Sequence, residues 1–435
     1  IPNEKYLERM WELTMNPSLG YPTTEKLFEI QKELDNNRSV PGDALNAWIE
    51  RGPNNVGGRT KALLFDPNDL TYKRVFAGSV SGGLWKNDDI TSNSSLWQLM
   101  NFPENVAVSS LQVDVNNSQI FYAGTGESYT YGSVNGNGVW KSIDGGNNWF
   151  HVFGGITGAT VFNTNALLHI NSPVSLEGDY NGFKSSFGPQ NFNITANLAL
   201  VNDGSVTPTL SCNSLINPSE INGKIAVIER GTCLFVDKIT YAQNAGAIGV
   251  IMINNAGGNP ITMGGDLADD IVIPAIMISK SEGMALLTSL NNNETINATI
   301  SNVENQFSGA YIIPGQTHIN DVVTRNNAGT TEIYVAVGDS YYSDASPVNI
   351  MGTSYQGIYK SIDGGSTWVK LFLPNTASGY PYTPNDLEIG PDNTIWMSTT
   401  RSPWYGIEGG GSIFSSTDGE LFTLKHSFTN GKRTE

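Results

Sequence analysis

The octapeptide SIDGGNNW, Ser142 to Trp149, returns almost letter for letter as SIDGGSTW, Ser361 to Trp368, so the chain is built from repeats of one turn-bearing unit. The segments leading into the turn fix the period: GLWKN (Gly83 to Asn87), GVWKS (Gly138 to Ser142), GIYKS (Gly357 to Ser361) and GSIFSS (Gly411 to Ser416) occupy equivalent places. Trp85 and Trp140 lie 55 residues apart, and so do Tyr359 and Phe414.

Ahead of each lead-in runs a β-rich segment ending in small residues, VFAGS (Val75 to Ser79), IFYAGTGE (Ile120 to Glu127), IYVAVGD (Ile333 to Asp339) and IWMSTT (Ile395 to Thr400). Further upstream lies an alternating segment, RTKALLFD (Arg59 to Asp66), SSLQVDV (Ser109 to Val115), INDVVT (Ile319 to Thr324) and NDLEIG (Asn385 to Gly390). Period-two apolar alternation between Gly, Asn and Asp punctuation predicts four strands per unit, with the tight turn before the last. That is the pattern of a β-propeller blade, and four blades are visible. In the turn itself, Asp can accept hydrogen bonds from nearby backbone amides, Gly can take positive φ, and Trp can pack beneath the hairpin.

The motif S-x-D-x-G-x-x-W resembles the Asp-box, or BNR, propellers of sialidases, sortilin-like receptors and secreted bacterial proteins. The matched positions are Ser142, Asp144, Gly146 and Trp149, then Ser361, Asp363, Gly365 and Trp368. The other two copies are degenerate: KNDDITSNSSLW (Lys86 to Trp97) carries extra turn residues, and SSTDGELF (Ser415 to Phe422) is one Gly short. The resemblance implies that the box is a fold element away from any substrate face, which makes Asp144 and Asp363 turn staples.

Trp140 and Tyr359 are 219 residues apart, 164 more than one period, so a separate module is inserted after the second blade. It predicts a buried strand (Ile225 to Glu229), a helix (Phe235 to Asn244), an apolar strand (Gly249 to Ile253), the segment IPAIMIS (Ile273 to Ser279) and a short helix (Ser281 to Leu290), an α/β arrangement. The run GKIAVIERGTCLFVDK with AGAIGV resembles a protease-associated domain over roughly Ala159 to Ser308. In that family the domain is a lid or docking module with no catalytic group of its own. The only cysteines, Cys212 and Cys233, both fall in the insert and suit either one loop-closing disulfide or a buried reduced pair. The family often pairs cysteines at these places, which implies an oxidising, extracytoplasmic location.

The domain organisation is therefore 1–48, an N-terminal helical segment; 49–158, blades 1 and 2; 159–308, the insert; and 309–435, blades 3 and 4. The N-terminal helices are predicted at Glu4 to Met15 and Thr24 to Asn36 from helical apolar spacing. The 24 basic against 41 acidic residues, net charge -17, disfavour nucleic acid and anionic membrane surfaces as partners. No apolar run of about 18 residues is present to span a membrane. Because the chain starts directly at IPNEKYLERMW, an exported form is expected to have lost its signal peptide already.

No catalytic signature stands out. His151, His169, His318 and His426 are scattered, and no H-E-x-x-H or G-x-S-x-G motif occurs. A sialidase would need an arginine cluster, and the few arginines are dispersed. Glu127 and Asp339 end equivalent strands and are the weak candidates for an acid/base pair of a polysaccharide hydrolase, with structural hydrogen bonding as the ordinary role. The loop GDSYYSDASPVN, Gly338 to Asn349, offers oxygen ligands for Ca2+; no other cofactor is expected and no metal site is defined. Loop aromatics Tyr129, Tyr131, Tyr341, Tyr342, Trp404 and Tyr405 are candidates for a ligand face or for packing among themselves.

Four blades are few for this family, so a longer chain is expected, resembling the large surface proteins that Bacteroidetes export by type IX secretion. The expected function is a secreted or cell-surface, noncatalytic protein recognising a glycan or protein. The alternatives are a glycoside hydrolase using the propeller cleft, or a subunit or passenger of an outer-membrane export or adhesion assembly.

Overall fold

The computed structural model describes residues 15–16, 21–22, 59–80, 83–103, 106–126, 136–154, 161–257, 260–265, 270–302, 309–312, 318–338, 356–401, 408–428 and 431. The chain is mainly β and divides into two compact units, 1–159 with 314–322 and 337–356, and 160–313 with 323–336 and 357–435. The predicted N-terminal helices lie outside the described residues except at Met15. That residue stands in a two-residue strand, Met15–Asn16, paired with Tyr21–Pro22, because a local antiparallel pair closes across the intervening residues.

Four four-stranded sheets each keep their strands in chain order. The first holds Thr60–Phe65, Val75–Ser79, Leu84–Asn87 and Gln98–Leu99. The second holds Val108–Asp114, Asn117–Thr125, Val139–Ser142 and Phe150–Phe153. These two pack through alternate residues: Ala62, Phe76 and Leu84 of one with Val108, Phe121 and Ala123 of the other form one buried cluster. Phe76 meets Phe121 edge to face at 5.5 Å. Leu63, Phe65 and Leu99, on the opposite face of the first sheet, are exposed.

The third sheet holds Ile319–Asn327, Thr330–Val337, Gly357–Ser361 and Val369–Leu371. The fourth holds Thr383–Ile389, Ile395–Thr400, Ser412–Ser416 and Thr423–Ser427. Their shared core includes Tyr334, Ile358, Leu387, Met397 and Phe414.

The inserted module is a closed seven-stranded barrel. Around it run Ala166–Ser172, Gly178–Lys184, Ala275–Ile278, Gly249–Ile253, Ile225–Glu229, Asn193–Leu200 and Asn297–Asn302, the last pairing with the first. The parallel strands Ile225–Glu229, Gly249–Ile253 and Ala275–Ile278 are almost wholly buried, as expected for strands covered on both faces. One core fills the barrel and takes in Ala285 and Leu286 of the last helix, and another lies under the first two helices. The helices are α1 (Pro218–Ile221), α2 (Phe235–Asn244) and α3 (Lys280–Asn291). The module is entered and left through one ribbon, in which Val161–Thr164 pairs with Gly309–Ile312.

Helix α3 starts with a capping box between Ser279 and Glu282 and abuts the fourth sheet. Ser281 Oγ donates to the Glu420 carbonyl at 2.7 Å and accepts from the Phe372 amide at 2.9 Å. Asn375 Nδ2 donates to the carbonyls of Val174 and Glu177 at 3.1 and 2.8 Å, tying the same side of the barrel to the chain after the third sheet. Burial pushes the Glu282 carboxyl up to about 7, against hydrogen bonds from Ser279 and the Lys370 charge. Folded Glu282 therefore keeps its proton between pH 4.5 and 7 while the unfolded chain has lost it, so this group costs stability as pH rises through that window. A urea midpoint that falls from pH 4.5 to 7 in the parent, with a flatter profile in Glu282→Gln, is the expected result. Identical profiles would remove Glu282 as the cause.

Candidate functional site

The two complete turns have the same internal geometry. Ser142 Oγ donates to Asp144 Oδ1 at 2.8 Å and accepts from the Gly146 amide at 2.9 Å. Asp144 Oδ1 accepts from the amides of Asn147 and Asn148 at 3.1 and 2.9 Å, and Trp149 Nε1 donates to the Gly146 carbonyl at 2.9 Å. In the second copy Ser361 Oγ lies 2.8 Å from Asp363, Asp363 Oδ1 takes the Thr367 amide at 2.9 Å, and Trp368 Nε1 reaches the Gly365 carbonyl at 3.1 Å. Gly146 sits at φ +86°, and a Cβ there would meet Phe76 at 3.0 Å, so both the backbone and the core require glycine. Both aspartates sit below the usual carboxylate range, because hydrogen bonds outweigh the cost of burial.

The shortened fourth copy keeps the staple one residue earlier. Asp418 Oδ1 takes the Ser416 hydroxyl at 2.9 Å and the amides of Glu420 and Leu421 at 2.9 and 3.0 Å, and Phe422 is buried in the tryptophan's place.

Sequence reasoning missed a buried charge cluster between the third and fourth sheets. Lys360 is 2% exposed, and its ammonium donates to Glu332 Oε1 at 2.7 Å, Glu420 Oε1 at 2.8 Å and the Gly419 carbonyl at 3.3 Å. Glu332 Oε2 takes the Tyr334 hydroxyl at 2.7 Å, with Arg325 Nη1 3.7 Å away. The two glutamates shift in opposite directions around one lysine. Burial opposes the charge of each, but Lys360 and Tyr334 hold Glu332 below the usual range, whereas burial wins at Glu420 and raises it. The available signal was the lysine that follows the aromatic residue in three lead-ins, Lys86, Lys141 and Lys360.

In the barrel, Cys212 and Cys233 form a disulfide. The fully buried Lys238 lies beside it, with Nζ 3.8 Å from Cys212 Sγ and donating to the carbonyls of Leu210 and Glu229. Burial pushes Lys238 down to about 8, against the charges of Asp203 and Glu229. The bridge spans 21 residues, and replacing both cysteines by alanine should cost about 3 kcal/mol of barrel stability by loop-closure entropy. Urea unfolding of the double variant checks this; a midpoint equal to the parent's would show that the bridge constrains nothing.

Glu127, Asp339, Tyr129, Tyr131, Tyr341, Tyr342, Trp404 and Tyr405 lie outside the described residues, as does the Ca2+ loop beyond Gly338. Among the described residues no group of three or more His, Cys, Asp or Glu is placed to hold a metal ion. No helix there is long and apolar enough to cross a membrane.

Comparison with known families matches residues 185–286, the heart of the barrel, to the PA domain. This stretch is a PA domain.

Curated proteins of several kinds are similar to part of this chain. The chain is 39% identical over 102 residues to ER degradation-enhancing alpha-mannosidase-like protein 3 of Homo sapiens, covering 22% of this chain and 11% of that protein. It is 30% identical over 179 residues to leucine aminopeptidase 2 of Arthroderma otae, 40% of this chain and 34% of that one. It is 41% identical over 81 residues to C5a peptidase of Streptococcus pyogenes, 18% and 7%. The chain thus spans at most about a third of the length of these relatives.

These findings correct the functional expectation. Leucine aminopeptidases and a C5a peptidase recur among the similar proteins, against the expectation of a noncatalytic glycan- or protein-binding role. The repeated turns have their side chains engaged in holding the turns, as expected of staples, and carry no information on activity.

Proposed function

We propose that this chain is the protease-associated portion of an extracellular peptidase, its PA domain positioning polypeptide for cleavage. The observation that carries this reading is the PA domain at residues 185–286, taken with the likeness of part of the chain to a leucine aminopeptidase and a C5a peptidase. The Cys212–Cys233 disulfide favours an oxidising location. We read the four sheets as Asp-box propeller blades. Support comes from their common strand order and from the Ser-Asp-amide staple in the second, third and fourth. The test is cleavage of casein by the complete gene product, with and without residues 165–302, followed by mass spectrometry. Cleavage that slows on removal of the module, while hydrolysis of a dipeptide amide persists, is expected. A complete product that cuts no polypeptide removes the reading.

A further inference from the structure

A pocket of 320 Å³ opens where the PA domain meets the turns of the third and fourth sheets. Its wall includes Gly257, Lys280 at the start of α3, Asn327, Asp418 and Glu420, with the Lys360–Glu332 pair also lining it. Most of its polar atoms are already engaged. Lys360 has three acceptors, and Glu332 takes Lys360 and Asn327 on Oε1 and Tyr334 on Oε2.

Two acceptor atoms are left over. Glu420 is only 3% exposed; Lys360 binds its Oε1, and no described residue donates a hydrogen bond to Oε2. Asp418 Oδ1 holds the turn, while Oδ2 has no hydrogen-bonded donor among the described residues; the Lys280 charge acts on both Asp418 and Glu420. Both residues line the pocket, and a carboxylate oxygen that has no protein donor is free to accept a charge-assisted hydrogen bond from an incoming N–H cation. Two such oxygens are too few for Ca2+, which takes about six to eight. Ile362 and Ala328 complete the lining with apolar surface suited to a methylene stem. A Cβ on Gly257 would come within 2.7 Å of Glu420 Oε1, so glycine keeps this wall clear.

We propose that this pocket binds the ammonium or guanidinium group of a basic peptide side chain, with Glu420 and Asp418 as its acceptors. The inference stands on the pocket alone and does not depend on peptidase activity.

Calorimetric titration of the 435-residue chain tests it with Nα-acetyl-lysine amide and Nα-acetyl-arginine amide. Nα-acetyl-norleucine amide serves as the neutral control and norleucine amide as the source of a free α-ammonium. Saturable binding of at least one acetylated cation and none of the neutral control is expected. Glu420→Gln should weaken binding about tenfold, the size of one charge-assisted hydrogen bond. Because that change also strips Lys360 of a partner, a further variant leaves every residue of the charge cluster in place: Lys280→Met should tighten binding severalfold by removing a like charge. Equal binding of the neutral control, no binding to the parent chain, or weaker binding in Lys280→Met overturns the proposal. Binding of norleucine amide alone overturns the side-chain source.

Discussion

Lys360→Met is expected to lower the unfolding free energy by about 3–5 kcal/mol, because it takes from the buried Glu332 and Glu420 the one cation hydrogen-bonded to both and leaves only the weaker charges of Arg325 and Lys280. The ammonium is nearly inaccessible and bridges both carboxylates within 2.8 Å. The desolvation of each carboxylate then weighs on the folded state alone. Removing all three charges, in Lys360→Met with Glu332→Gln and Glu420→Gln, should restore much of the loss, since a buried ionic cluster is a poor stabiliser in absolute terms and a severe liability when broken. Urea unfolding at pH 7, followed by tryptophan fluorescence, decides the matter. A single-variant cost under about 1 kcal/mol would mean that the cluster is wetter than its geometry implies.

Trp368→Ala is the second large expected effect, again about 3–5 kcal/mol. Trp368 is 1% exposed and heads the largest fully buried side chains, and its indole N–H closes the turn on the Gly365 carbonyl. Removing it deletes the hydrophobic burial and opens a cavity in a sheet edge pinned by the Ser361–Asp363 staple, which limits collapse. The equivalent Trp149 is only partly buried, so Trp149→Ala should cost clearly less. Equal losses at the two sites would show that the turn hydrogen bond, common to both, dominates over burial.

Much of the strand and helix layout was legible because punctuation and alternation agree. VFAGS at Val75 to Ser79 and IWMSTT at Ile395 to Thr400 are strands over those residues, and Phe235–Asn244 is a helix with the predicted bounds. Barrel closure was not legible. Its closing pair joins Ala166–Ser172 to Asn297–Asn302, strands remote in sequence, and His169, Asn171 and Thr299 on the outer surface make both look polar. The charge cluster was hidden for a related reason. Lys360 occupies a polar position that a local pattern assigns to solvent, and its burial is imposed by Glu420, 60 residues later. Loop carboxylates and aromatics drew attention as candidate sites through residue type alone, whereas Glu420 is singled out by what surrounds it.

The ribbon of Val161–Thr164 with Gly309–Ile312 gives the PA domain a single stalk, where the incoming and outgoing strands are hydrogen-bonded to each other. To the repeat that hosts it, a module held this way is equivalent to a hairpin loop of unusual size, whose closure cost grows only logarithmically with length. Excising it at the stalk and joining the two strands by a short turn leaves the chain connection with nothing new to span, and the cost falls instead on Phe372 and Glu420, which lose the barrel core and Ser281. Gain or loss of such a module is then simple for the chain path and demanding only at the few residues that pack against it.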